Sequence, residues 1–206
     1  MSENILEKII EKKIIKINNL KKTLALESLK DIIDKNDTFL NFKEKIENNL
    51  KAQKFSIIAE IKKASPSAGV ILDNYDPVQI ANIYYQNKAT CLSVLTEEDF
   101  FLGNSLHISK IKEKIDLPIL CKDFFIDKYQ VPLAKSYGAD AILIIMAGVS
   151  DNLASEIYDE ALKHNMSIIV EVHTVEEAKR ALRFNEALIG INLSLIHISE
   201  PTRLVS

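Results

Sequence analysis

Leu117-Pro-Ile-Leu-Cys-Lys122, Asp140-Ala-Ile-Leu-Ile-Ile-Met146 and Ser167-Ile-Ile-Val-Glu-Val172 are short apolar runs rich in β-branched residues, each bounded by polar, turn-prone sequence. A strand with one wet face alternates apolar with polar residues. A continuous apolar run instead marks a strand covered on both faces, as in a parallel sheet flanked by helices. Working outward, runs of the same kind occur at Ser56-Ile-Ile-Ala-Glu-Ile-Lys62, Thr90-Cys-Leu-Ser-Val-Leu-Thr96 and Ala187-Leu-Ile-Gly-Ile-Asn192. Longer stretches with helix signals separate them. Asp76-Pro77 reads as N-cap and first helical residue, and Asp127 opens a helix over 128–137 that Gly138 closes. Thr174-Val-Glu-Glu177 is a capping box. Pro132 predicts a kink in the second of these helices. Six strands alternating with helices make an α/β chain. No Gly-x-Gly-x-x-Gly follows the first strand and no phosphate-binding loop motif is present, so the dinucleotide fold and the P-loop fold both lack their fingerprints. What remains is the (β/α)8 TIM barrel, with only six βα units present.

Upstream of the first run, residues 1–55 carry 12 basic and 9 acidic side chains and no Gly or Pro. Helical spacing of Ile5, Leu6, Ile9, Ile10 and Ile14 predicts an N-terminal helix; two more are predicted over 26–33 and 42–50, the last with Ile46 and Leu50 on one face. The expected division is therefore an N-terminal helical extension (1–55), an incomplete barrel (56–192) and a tail (193–206) in which the pattern stops.

The 206 residues are 47% apolar and 27% charged, with a net charge of -3 and no cluster of Lys and Arg, a balance that excludes a nucleic-acid groove or an anionic membrane as the main partner and favours a small molecule. The longest stretch free of charge is 13 residues, Ala187–Ser199, too short for a membrane span, and the N-terminus lacks a secretory apolar segment. Cys91 and Cys121 lie inside apolar runs and read as buried, reduced thiols, so a cytoplasmic protein is expected.

Ionisable residues inside such strands cost desolvation energy unless paired, so the exceptions carry information. Glu60 and Lys62 lie two apart, on one face of the first strand. Lys122 ends the third, Glu171 interrupts the fifth near its end, and Asn192 ends the sixth. A lone lysine at a strand end is ordinarily a solvated terminus. Five polar groups, late in four strands of a fold whose catalytic groups gather at the C-terminal strand ends, outweigh that reading. Two Lys and two Glu in one cavity are suited to proton transfer. The loop Lys62-Lys-Ala-Ser-Pro-Ser-Ala-Gly69 offers two hydroxyls to an anion. Cys121 points to the side of the strand opposite Lys122 and is read as a buried thiol, not a nucleophile.

Ile58-Ala-Glu-Ile-Lys-Lys-Ala-Ser-Pro-Ser67 resembles the opening motif of the indole-3-glycerol phosphate synthase family. Ser93-Val-Leu-Thr-Glu-Glu-Asp-Phe-Phe-Leu-Gly103, Leu117-Pro-Ile-Leu-Cys-Lys-Asp-Phe124, Tyr137-Gly-Ala-Asp-Ala141, Val170-Glu-Val-His173 and Ile189-Gly-Ile-Asn192 are similar to its later motifs, in order, over residues 26–192. The resemblance implies a carboxy-lyase of tryptophan biosynthesis, closing the indole ring of 1-(2-carboxyphenylamino)-1-deoxyribulose 5-phosphate with loss of carbon dioxide and water. It implies a phosphorylated small-molecule substrate and no metal or organic cofactor. Lys122 is similar to the family's general acid, Lys62 to the group that pairs with the substrate carboxylate and moves protons, and Glu171 to the base of the dehydration half. Glu60 and Asn192 resemble residues that orient these lysines and the substrate hydroxyls. Ser65 resembles a phosphate-side contact. Phe101 and Phe124 match positions that pack on the anthranilate ring, although by sequence alone they equally fit a core. His173 is read as a surface residue preceding a helix, with no role.

The family pattern breaks after Asn192: Ser194 stands where an Arg belongs, and Glu200 follows too closely to be the family's next Glu. The expectation is a non-native tail and a 206-residue chain that is inactive and poorly folded, its first and sixth strands lacking partners. Two other readings are a non-catalytic fragment and a related phosphate-binding barrel such as phosphoribosylanthranilate isomerase, whose acid–base pair is Cys with Asp.

Overall fold

The computed structural model describes residues 5–35 and 39–193. Three helices come first: α1 (Ile5–Thr23), α2 (Leu26–Lys35) and α3 (Phe42–Lys51). Then follow β1 (Ile58–Ile61), a two-stranded hairpin of β2 (Ala64–Ser65) and β3 (Gly69–Val70), α4 (Pro77–Gln86), β4 (Cys91–Leu95), α5 (Leu106–Lys112), β5 (Ile119–Lys122), α6 (Gln130–Ser136), β6 (Ala141–Ile145), α7 (Asp151–Lys163), β7 (Ser167–Val172), α8 (Val175–Ala181) and β8 (Leu188–Ile191). The six long strands form one parallel sheet in the order β1-β4-β5-β6-β7-β8, each beside its successor, so the sheet is a curled run of six barrel staves. Among the described residues, β1 and β8 each have one neighbour.

Strand parity sorts the core into two layers. Leu92, Val94, Ile119, Ile142, Ile144, Ile168 and Val170 face outward and pack under the helices. Cys91, Leu120, Ala141, Leu143, Ile145 and Ile169 face the barrel interior, where Phe42 of α3 joins them, fully buried. Phe42 enters from below: Leu40 N–H donates to Asp140 and Lys43 N–H to Ser167, both at the N-terminal ends of strands. Asp140 is clamped there by Lys112 at 2.6 Å. α3 is thus the barrel floor, which leaves the C-terminal ends of the strands as its mouth. α1 lies across that mouth. Its Lys13 meets Asp123 just past β5, Lys16 pairs with Glu98 past β4, and Lys21 pairs with Asp127.

Four local expectations change. Leu50 does not share the buried face of Phe42 and Ile46; it is 74% exposed, because α3 runs past the floor contact toward β1, the sheet's outer strand. The helix after Asp127 starts at Gln130: Asp127 accepts from Tyr129 N–H, and the Gln130 side chain accepts from the 126 and 127 amides, which ties residues 126–129 into a turn first. Pro132 therefore stands in the first helical turn, where a missing N–H breaks no bond and no kink arises. The loop after the first strand contains the β2–β3 hairpin, closed where Gly69 takes φ +65° and the Ser65 hydroxyl accepts from Ala68 N–H. Of the other caps, Asp76 caps α4 and Gly138 at φ +93° follows α6 as the sequence predicts. At α8 Thr174 accepts from Glu177 N–H, while the Glu177 side chain accepts from the His173 amide, so half of the capping box forms.

Candidate active site

Inward parity carries Glu60 of β1, Lys122 of β5 and Glu171 of β7 onto the interior face, one layer above the apolar fill. Register sets their height: Glu60 pairs with Ser93, Lys122 with Leu95, and Glu171 with both Ile145 and Gly190, so all stand at the mouth. Lys62 Nζ donates to Glu60 Oε1 at 2.6 Å. Across the mouth Lys122 Nζ donates to Glu171 Oε2 at 3.2 Å, and Asn192 Nδ2 donates to Glu171 Oε1 at 3.0 Å. Each carboxylate thus meets an ammonium. The pairs differ in protection: about a third of the Glu60 and Lys62 side chains is exposed, whereas Glu171 is 13% exposed.

All five groups line one cavity of about 710 Å³ together with Phe101 and Phe124. The two rings stand 6.2 Å apart between centroids, inclined at 38°. Ile5, Leu6 and Ile9 of α1 extend this apolar wall, so the cavity has a charged side and an aromatic-aliphatic side, suited to a ligand that is part aromatic ring and part polyol or acid. Ser65 sits in the β2–β3 hairpin, whose Pro66 reaches the cavity; Ser65 itself is not in the wall. Ser194 and Glu200 lie outside the described residues. Among the described residues no cluster of three or more His, Cys, Asp and Glu is placed to hold a metal ion.

Three residues that the sequence reading passed over shape the site. Glu97, 2% exposed, accepts from the amides of Asp99, Phe100 and Phe101, folding the loop that presents Phe101. Gly103 closes this loop, where a Cβ would come within 2.5 Å of the Leu95 carbonyl oxygen. Lys13 is buried at 2.6 Å from Asp123. Burial pushes its pKa down, but the Asp123 charge and hydrogen bond, with Glu97 behind them, outweigh this and hold the ammonium above its ordinary value. Its signal in the sequence is positional: Leu6, Ile9, Lys13 and Ile17 form one helical stripe, with a lysine where a core residue is due. His173 is a correction. It is no surface residue: its side chain is 10% exposed and lines the cavity, Nε2 3.4 Å from Glu171 Oε1. Its signal was the strand parity it shares with Glu171. Both thiols are buried as expected, and burial foremost pushes each pKa up to about 12.

The sequence matches the family model described as indole-3-glycerol phosphate synthase over residues 6–197. The chain belongs to the indole-3-glycerol phosphate synthase family. The indole-3-glycerol phosphate synthase of Zymomonas mobilis subsp. pomaceae is 40% identical over 189 residues, covering 92% of this chain and 72% of that protein. A tryptophan biosynthesis protein, TrpCF, of Buchnera aphidicola subsp. Schizaphis graminum is 42% identical over 197 residues; the match covers 96% of this chain but 42% of that protein's length. Among solved structures, a 3-hexulose-6-phosphate synthase superposes with TM-score 0.51 at 15% identity over 68% of this chain and 66% of its own, a likeness of fold. The synthase-family motifs of the sequence fall on β1, β4 with its loop, β5, the turn into β6, β7 and β8, in that order. Among the described residues no helix is long and apolar enough to cross a membrane.

Proposed function

We propose that this cavity closes the indole ring of 1-(2-carboxyphenylamino)-1-deoxyribulose 5-phosphate. The observation that carries the proposal is the linked set Lys122–Glu171–Asn192 facing Glu60–Lys62 beside two phenyl rings, in a chain of the synthase family. The ring carbon that bears the carboxylate attacks the ketone, and Lys122 donates a proton to the developing alkoxide. Carbon dioxide leaves and returns its bonding electrons to the ring. The new hydroxyl then takes a proton from Lys62 and departs as water, while Glu171 takes a proton from the adjacent methylene carbon. Lys62 holds the substrate carboxylate, Glu60 holds Lys62, and Asn192 holds Glu171. Phe101 and Phe124 stack on the anthranilate ring, and Ser65, set back from the wall behind Pro66, is the phosphate-side contact once its hairpin moves onto the substrate. No metal or organic cofactor enters this scheme. Residues 56–192 are the incomplete catalytic barrel, 1–55 its helical extension, and 193–206 a tail of which only 193–197 fall within the family match; the setting is the cytoplasm.

An isomerase that uses Cys as its acid or base fits less well, because both thiols are buried and their pKa values are pushed to about 12. The test is formation of fluorescent indole-3-glycerol phosphate by the 206-residue chain and by a chimera in which residues 1–192 are continued by the C-terminal segment of the Zymomonas relative. Product from either, reduced at least about 100-fold by Lys122→Ala, is expected. Absence of product from both, or full activity in the variant, overturns the proposal.

A further inference from the structure

We propose that His173 is a positioning residue that holds the Glu171 carboxylate in register with Lys122 through its Nε2–H; this rests on Glu171 being the base of the reaction. His173 follows β7 by one residue and shares the inward parity of Glu171. Its backbone is fixed by α8: the His173 N–H donates to Glu177 Oε2 at 2.8 Å, and Nδ1 lies 3.4 Å from the same oxygen. The ring is thereby aimed with Nε2 at Glu171 Oε1, 3.4 Å away, the oxygen that Asn192 also holds. Among the described residues Nε2 is buried with no hydrogen bond.

A buried ring nitrogen without a partner is unfavourable, and a carboxylate oxygen stands a few tenths of an ångström beyond good bonding distance. Closing that gap gives Glu171 a third donor. With Oε1 held by Asn192 and His173, Oε2 stays turned toward Lys122 and the cavity. The charged groups facing the imidazole are Glu171 from β7 and Glu177 from α8, with Lys122 of β5 beyond Glu171. The arrangement resembles the general device by which a carboxylate base is oriented from behind by a side chain that never touches substrate.

Two amide variants separate this role from support of α8. A Gln side chain places its NH₂ near the ring Nε2 and keeps the bond to Glu171; an Asn side chain reaches only the Nδ1 position and keeps the contact to Glu177. In whichever form turns over in the fluorescence assay, His173→Asn is expected to lower kcat on the order of ten-fold with KM within about two-fold, and His173→Gln to recover most of the loss. Wild-type kcat in His173→Asn, recovery by Asn but not Gln, or a rise in KM alone overturns the proposal. Long-range ¹H–¹⁵N spectra of the 206-residue chain read the same contact without turnover: a protonated Nε2 whose shift moves in Glu171→Gln supports it, and an unprotonated or unmoved Nε2 overturns it. A folded chain and chimera that make no product reject the synthase reading, while the spectra still decide the contact.

Discussion

Lys13→Met keeps the side chain's length and deletes its ammonium, stranding Asp123 under α1 with its side chain 11% exposed. Removing one partner of a buried ion pair costs about 3–5 kcal/mol, because the remaining charge is left without compensation. Asp123 still accepts from Thr96 Oγ1 at 2.8 Å and from Phe124 N–H at 2.7 Å, which places the loss at the lower end, about 3 kcal/mol. Other α1 contacts, the Lys16–Glu98 and Lys21–Asp127 pairs, are more exposed and contribute about 0–1 kcal/mol each. The loss therefore appears first as undocking of α1: amide exchange in the helix is expected to quicken by roughly two orders of magnitude, since each 1.4 kcal/mol is about ten-fold. Urea unfolding of Lys13→Met, Asp123→Asn and the double variant should give a coupling of at least about 1.5 kcal/mol. The pH dependence has a definite sign. The folded-state pKa of Lys13 lies above its ordinary 10.5, so the pair's contribution is complete below that pH and is lost as pH rises through the folded-state value. A Lys13→Met loss under about 1 kcal/mol, or a coupling near zero, refutes the reasoning, and Lys13 is then an apolar stem with a solvated head.

Glu171→Gln keeps the Asn192 contact and removes the base. Turnover should fall at least about 100-fold while calorimetric binding of a substrate analogue persists; lost binding with an intact fold would make Glu171 a binding group instead. With burial pushing the Cys91 and Cys121 thiols up to about 12, a thiol reagent at pH 8 should label neither in the folded chain and both in denaturant; rapid labelling of the folded chain would contradict their burial.

By itself the sequence determined the strands, the parity and the candidate groups. Runs such as Ala141–Ile145 are apolar at every position because both sheet faces are covered. A period of two put Glu60 with Lys62 and Lys122 opposite Cys121, and the late strand positions pointed these groups and Glu171 to one mouth, while which face is the inner one came only with the tertiary structure. Caps at Asp76 and Thr174 were legible because they are contacts two or three residues long. Tertiary structure alone decided the pairing. Lys122 meets Glu171, 49 residues away, a choice fixed by sheet curl and register that leaves no trace in local spacing, whereas Lys62 turns back to Glu60 on the face that their spacing had already given both. For Lys13 and His173 the spacing carries a position, the Leu6–Ile9–Ile17 stripe and the parity of Glu171, but not the partner. On a helix or before one, each reads as a solvated polar residue; only the closing of α1 over the mouth, and of α8 behind β7, removes the water that local sequence assumes is there.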